Sequence, residues 1–417
     1  MGFVVLVGTL DTKGAEYAYL RDCLREAGAT PLLVDVGVLG ASDVVADVSA
    51  ESVAAAAGVA LDSLRFTREG SDTRAAALAA MGRGAAKVVG DLVRESRCDA
   101  VLMATGSGGG SIAAAVFAAV PLGTPKLLVT TMGQHLGSLP KTRDVTLMQS
   151  VTDIAGLNRI SRRILRNAAF GAAGMAAARQ AAEADAEKPL VAITMFGITT
   201  PGVLRVERRL RDAGLETITF HAVGTGGRAM EEMIAAGTID GVIDYTVSEL
   251  TDELLGGIFP AGADRLEAAG RAGIPQVVVP GAIEVLNFGP RATLPARYDT
   301  PDRRLIIHNE NVCAVRTTAA EAAELGRIFA RKVNGATGPT AVVLPLAGFD
   351  SYQMLPDGPW IDPEADAPFY DAVRRDLRPD IPRVEVDRNI NDPAFADIVF
   401  EQFQALWAQR RPQASGP

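Results

Sequence analysis

The chain has 417 residues, 48% of them apolar and 22% charged, with a net charge of −9. That balance excludes a general nucleic-acid binder, which needs surplus lysine and arginine facing phosphates, and it excludes a disordered chain. The richest apolar stretch, Ile112 to Val120, stops at Pro121 and is too short to span a membrane.

A chain this long exceeds what one hydrophobic core usually serves, so two domains are expected. Phe3 to Val7 reads as a strand with no basic leader before it. Cys23, Cys98 and Cys313 are isolated and lack metal-ligand spacing. They suit a reducing compartment, so the expected location is the cytoplasm. After the first strand, Ala15 to Ala27 has an amphipathic helical pattern closed by Gly28. PLLVDVG is the next strand, a helical zone runs through Arg94, and DAVLMAT, a glycine cluster, a second helix and KLLVTT follow. Continuously apolar strands separated by helices indicate a parallel sheet covered on both faces.

The pattern from about Ile154 to Ala186 is helical and ends in the polar stretch AAEADAEKP, which predicts a boundary near residue 185. PLVAITMFG then restarts the same programme. At an offset of about 186 residues Leu24-Arg25 falls on Leu210-Arg211 and Ala27-Gly28 on Ala213-Gly214, which is compatible with a duplicated unit. The predicted organisation is therefore α/β, with domains at 1–185 and 186–409, each a doubly wound parallel sheet, a cleft between them, and a disordered tail at 410–417. Helices are predicted from Pro368 to Leu377 and from Pro393 to Ala408.

Ligands of open α/β sheets lie beyond the carboxyl ends of the strands. Gly106-Ser107-Gly108-Gly109-Gly110-Ser111 occupies such a position before a helix, where glycines let the backbone approach an anion and the helix start offers free N–H groups. Gly8-Thr9-Leu10-Asp11-Thr12-Lys13 follows the first strand. It is not a Walker loop, but Lys13 is placed to pair with phosphate and Asp11 to hold a metal or a ribose hydroxyl. Helix capping by Asp11 and a solvated Lys13 account for the same residues equally well. Thr130 and Thr131 end another strand and complete the expected phosphate site.

In the second half Thr199, Thr200 and the cluster Gly224, Gly226, Gly227 and Arg228 form an expected substrate-binding set, with Asn309 and Arg316 further on. The three histidines are His135, His221 and His308. His221 and His308 end strand-like runs, and with Glu249 they are the candidate catalytic groups. Thr318 and Glu321 have capping-box spacing. No G-x-S-x-G, H-E-x-x-H or dinucleotide fingerprint is present.

The segments GTLDTKGAEYAYLRDCLREAG, SVTDIAGLNRISRRIL, TMFGITTP, FHAVGTGGRAMEEMI, PQVVVPGAIEVLNFG and NINDPAFAD resemble, in order, a bacterial and plant family. It is the family related to the N-terminal, ATP-binding part of the tomato mosaic virus resistance protein. The resemblance implies two Rossmann-like subdomains, a tendency to dimerise and a nucleotide site on glycine-rich loops. The family's usual GGSGGT loop stands here as Gly106-Ser107-Gly108-Gly109-Gly110-Ser111, with the serine-glycine-glycine core kept.

The expected function is a nucleotide-binding metabolic enzyme acting on a small carboxylated or phosphorylated substrate. ATP is the expected cofactor, with magnesium on Asp11 or Glu249 and charge neutralised by Lys13, Arg228 or Arg316. A nucleotide-independent hydrolase or C–C lyase with a histidine base and a non-catalytic nucleotide sensor are the alternatives.

Overall fold

The computed structural model describes residues 2–65, 71–106, 108–132, 143–182, 188–355, 358 and 360–410. Ser107, His135, the polar stretch at 183–187 and the tail from 411 onward lie outside the described residues. The chain divides into two compact units, residues 1–186 and 187–417.

The first unit is built from β1 (Phe3–Gly8), β2 (Thr30–Asp35), β3 (Ala100–Thr105), β4 (Lys126–Thr130) and β5 (Val145–Gln149), in the order β2-β1-β3-β4-β5. Every pairing is parallel. β1 and β3 are buried nearly throughout because both their faces are covered. One face packs against α2 (Ala50–Ala56), α3 (Ser71–Arg94) and α4 (Gly110–Ala119) around Val5, Val7, Met81, Val101 and Phe117. The other packs against α1 (Leu10–Glu26) and α5 (Arg159–Ala182) around Leu6, Leu20, Leu102 and the small Ala168, Ala172 and Ala176. Alanines on α5 allow close helix-to-sheet approach where aromatic residues are scarce. The helix α1 begins at Leu10, five residues before its sequence pattern does, and Lys13 departs from helical geometry with φ −132°.

The second unit repeats the scheme with β6 (Leu190–Met195), β7 (Glu216–His221), β8 (Gly241–Thr246), β9 (Gln276–Gly281), β13 (Thr340–Pro345) and β14 (Arg383–Val386). Their order is β14-β13-β9-β8-β6-β7, again all parallel. Counted from the first strand of each unit, both sheets follow the flavodoxin-like 2-1-3-4-5 order, the second with one strand more. The helices α6 (Thr200–Asp212) and α12 (Pro393–Ala408) cover one face around Val203, Phe395 and Phe403. On the other lie α7 (Thr225–Ala235), α8 (Glu249–Leu255), α9 (Ala268–Ala272), α10 (Ala319–Val333) and α11 (Pro363–Asp376). The Thr318–Glu321 capping box opens α10, with both reciprocal bonds formed.

One element departs from the doubly wound expectation. The strands β10 (Val285–Phe288), β11 (Leu305–Asn309) and β12 (Val312–Arg316) form a separate antiparallel sheet in the order β10-β12-β11. His308 and Asn309 therefore sit on an edge strand of this insertion and not at the carboxyl edge of the parallel sheet. Alternation explains it: Ile306 packs inward with Trp360 while its neighbour Ile307 is exposed, the period-2 pattern of a half-buried antiparallel strand.

Candidate nucleotide site in the N-terminal unit

In a 2-1-3-4-5 sheet the connections leave the first strand on one side and the third on the other, so a crevice opens between their carboxyl ends. Here the crevice is held open by a side chain. β1 and β3 pair as far as Val7 and Met103. The Tyr17 hydroxyl of α1 then enters between them, donating to the Val7 carbonyl at 2.6 Å and accepting from the Ala104 N–H at 2.9 Å. It replaces the next direct rung, so the strands part. Burial pushes the phenol pKa well above its ordinary value, which keeps the hydroxyl a donor. A Cβ at Gly8 would lie 1.9 Å from the Tyr17 ring; only glycine lets the tyrosine in.

Beyond the parted strands lies a cavity of about 490 Å³, within the range of small-molecule sites. Its lining mixes two chemistries: the aliphatic side chains of Val36, Val38, Leu78, Met81, Met103 and Ile112, and the polar Thr9, Asp11, Thr12, Lys13, Arg74 and Thr105 with Gly106, Gly108 and Gly109. The start of α4 follows at once, and a helix start leaves its first N–H groups without intrahelical partners.

The expected phosphate residues are mostly brought together here. Gly8, Thr9, Asp11, Lys13, Gly106, Gly108 and Gly109 line the cavity, and Gly110 is the first residue of α4. Thr130 and Thr131 do not line it. The Thr130 side chain is fully buried and its Oγ1 accepts from the Met132 N–H at 3.1 Å. Asp11 has a local duty, with Oδ2 accepting from the Leu39 N–H at 2.7 Å, so it ties down the loop after β2. Lys13 donates its ammonium to the Ile154 carbonyl.

Arg74 was not legible as a site residue. It belongs to α3, its guanidinium nitrogen lies 2.9 Å from where a Cβ on Gly108 would be, and it has no hydrogen bond or ion pair among the described residues. Thr105 is the second addition, 6% exposed, with a hydroxyl that has no partner among the described residues. Neither carries a motif; their position depends on the strand order, which local sequence does not state.

The second unit treats its corresponding positions differently. Between the carboxyl ends of β6 and β8 the Thr199 and Thr246 hydroxyls bond to each other at 2.8 Å, and Thr194 donates to Asp244 at 2.8 Å. Thr200 donates to the Phe196 carbonyl. These threonines close the crevice, which corrects the expectation that Thr199 and Thr200 face substrate. The glycine cluster is also occupied from within. Glu249 is fully buried and accepts from the Gly224 N–H at 2.7 Å and the Gly227 N–H at 3.2 Å. A Cβ on Gly227 would meet its carboxylate at 2.2 Å, and one on Gly226 would meet the His221 carbonyl at 2.0 Å. The anion that this turn binds is the chain's own carboxylate.

Arg265, fully buried, holds that carboxylate at 2.6 Å, pairs with Asp244 through two nitrogens at 2.5 and 2.6 Å, and reaches Glu231 at 3.2 Å. Burial pushes the Glu231 pKa up, opposed by Arg265. Asp252 beside them is pushed up to about 7 by burial, with the N–H groups of Asn287 and Phe259 holding it down. Glu249 is therefore a positioning group in a closed network and is not exposed for proton transfer. Arg316 is likewise corrected: it is 2% exposed and bonded to Asp366 at 2.7 Å and to the Trp360 carbonyl at 2.7 Å. Arg228 is exposed and lines a second depression with Glu231 and Arg271. His221 is exposed and packs near Phe196 with ring centroids 5.6 Å apart. His308 is exposed, its Nδ1 2.9 Å from the Tyr352 hydroxyl, and Asn309 accepts from the Asn311 N–H. Among the described residues no group of His, Cys, Asp and Glu has metal-site geometry, and no helix is long and apolar enough to cross a membrane.

Two family models match the chain. They are described as the N-terminal domain of an uncharacterised protein family (UPF0261), over residues 2–181, and the C-terminal domain of the same family, over residues 188–407. A UPF0261 protein of Rhizobium meliloti is 41% identical over 97% of this chain and 98% of its own length, and one of Clostridium tetani is 37% identical over 94% and 96%. The tomato ToMV resistance protein Tm-1(GCR237) is 33% identical over 82% of this chain, which corresponds to 46% of that protein.

Proposed function

The chain belongs to the UPF0261 family, and within that frame we propose that its N-terminal unit binds a nucleotide, ATP or a close relative, with the phosphates on the Gly106–Gly110 turn. The observation that carries this reading is the cavity between β1 and β3, lined both by aliphatic side chains and by a glycine turn, a helix start and Arg74, which has no partner among the described residues. A nucleotide combines the same two characters, an apolar flat base and a polyanion. The buried Thr105 hydroxyl beside the turn, without a partner among the described residues, is a group whose desolvation a ligand oxygen would offset.

We propose further that the nucleotide serves phosphoryl or nucleotidyl transfer to a small carboxylated or phosphorylated substrate. The charged groups that line the cavity among the described residues are Asp11, Lys13, Arg74 and Asp153. They are groups that position and neutralise phosphates, which is most of what such transfer needs. Among the described residues no imidazole or thiol lines the cavity, so the histidines described, His221 and His308, give a histidine-based hydrolase or lyase no support at this site. Magnesium, if carried by the nucleotide, would be held on the Asp11 side of the cavity.

Titration calorimetry with ATP tests the binding. Saturable 1:1 heat is expected, with Arg74→Ala weakening affinity about tenfold or more and a steeper loss in the wild type than in the variant as salt is raised. Absence of binding to the folded protein, or an Arg74→Ala variant with unchanged affinity, contradicts the assignment.

A further inference from the structure

A second cluster of ionisable groups lies at the carboxyl edge of the C-terminal sheet, where the turn after β9 meets the loop after β13. Glu284 is 2% exposed, Asp350 is fully buried and Asp366 of α11 is 7% exposed. Against these three carboxyl groups stands one guanidinium, Arg316 of β12, which bonds to Asp366 at 2.7 Å. Glu284 Oε1 accepts from the Trp360 indole at 3.3 Å, and Asp350 Oδ1 accepts from the Gln353 N–H at 3.1 Å. The side chain of Gln353 continues the chain to Asp366 at 2.8 Å.

The remaining oxygens of the pair, Glu284 Oε2 and Asp350 Oδ2, are both buried and neither has a donor among the described residues. Two acceptors cannot satisfy each other, and two buried carboxylates in contact repel. One proton resolves both problems, since a protonated carboxyl donates to its carboxylate neighbour. The two side chains lie in hydrogen-bonding contact, as such sharing requires.

We propose that Glu284 and Asp350 share a single proton, and that this proton latches the Tyr352–Met354 turn and Trp360 against the carboxyl edge of the C-terminal sheet. Both are anchored through the pair: Trp360 to Glu284, and the turn at Gln353 to Asp350. The ionisable groups facing the pair from the surrounding elements are Arg316 of β12, Asp366 and Tyr370 on α11, and Tyr352 of the turn itself. Arg316 is the sole cation among them, so loss of the proton leaves a charge that no described neighbour compensates.

Burial raises the Glu284 pKa well above its ordinary value and moves Asp350 up to about 6. The sign follows: a carboxyl with a raised folded pKa contributes stability below the ordinary carboxylate range, and that stability is lost as pH rises through the folded value. The latch is therefore tightest below the ordinary carboxylate range and loosens progressively as pH rises from there to the folded value.

Hydrogen exchange in the full chain reads the opening at the amides of Gln353, Met354 and Ile361. Glu284→Gln puts an amide donor where the shared proton was, so it mimics the protonated pair at every pH; intrinsic exchange is the same in both proteins at a given pH. The expected result is a wild-type to Glu284→Gln ratio near one at about pH 4 that rises by up to about tenfold per pH unit above the ordinary carboxylate range and levels off where the closed pair loses its proton, the slope of one released proton. Asp350→Asn, which keeps an acceptor for the Gln353 N–H, should suppress the rise in the same way. A ratio that stays flat to pH 9.5, or a rise that persists in both variants, overturns the proposal.

Discussion

The Gly106→Val variant is expected to lose nucleotide affinity at least tenfold, about 1.4 kcal/mol, while keeping the melting temperature of the parent. The two halves of this expectation rest on one geometric fact. A Cβ at Gly106 would meet no atom within 4 Å, yet the residue lines the cavity, so added methyl groups take up space a ligand would use and disturb no packing. Gly8 is the opposite case. Its replacement would collide with the Tyr17 ring and damage the fold first, so a binding defect there would say little. Calorimetry and thermal unfolding on the same preparation separate the outcomes. Unchanged affinity in the folded Gly106→Val protein would remove the glycine turn from the site.

Arg265→Met should be the most destabilising substitution in the C-terminal unit, by about 3–5 kcal/mol. It leaves the carboxylates of Asp244, Glu249 and Glu231 buried against one another without their cation. Denaturant unfolding followed by tryptophan emission reports this unit selectively, because both tryptophans, Trp360 and Trp407, belong to it. The midpoint should fall sharply, and acidification should recover part of the loss as the orphaned carboxyls take up protons. An unchanged midpoint would mean that the network is not what holds the Gly224–Gly227 turn.

The fold was readable where periodicity is unambiguous. Runs such as Phe3 to Val7 and Ala100 to Thr105 are apolar at every position because both faces of the sheet are covered, and α12 begins and ends where its pattern does. The three-stranded insertion was not readable, since Leu305 to Asn309 is short and its alternation also suits a strand of the main sheet. The sites divide along the same line. Glycines before helices marked both candidate anion turns, but composition cannot tell whether the anion comes from outside or from the chain. In the N-terminal unit the turn borders a cavity; in the C-terminal unit Glu249, distant in sequence, fills it. Arg74 and the Glu284–Asp350 pair escaped notice for the same reason. Each is defined by residues that the strand order brings together, and none lies in a local motif.

The central claim is that phosphate sits on the Gly106–Gly110 turn, and a crystal structure with a non-hydrolysable ATP analogue tests it most directly. The predicted result is phosphate density within hydrogen-bond distance of the first N–H groups of α4 and of the Arg74 guanidinium, with the base against Val36, Val38 and Met81. Phosphates seated at the Gly224–Gly227 turn, or a saturated crystal with the cavity between β1 and β3 free of nucleotide, would contradict it.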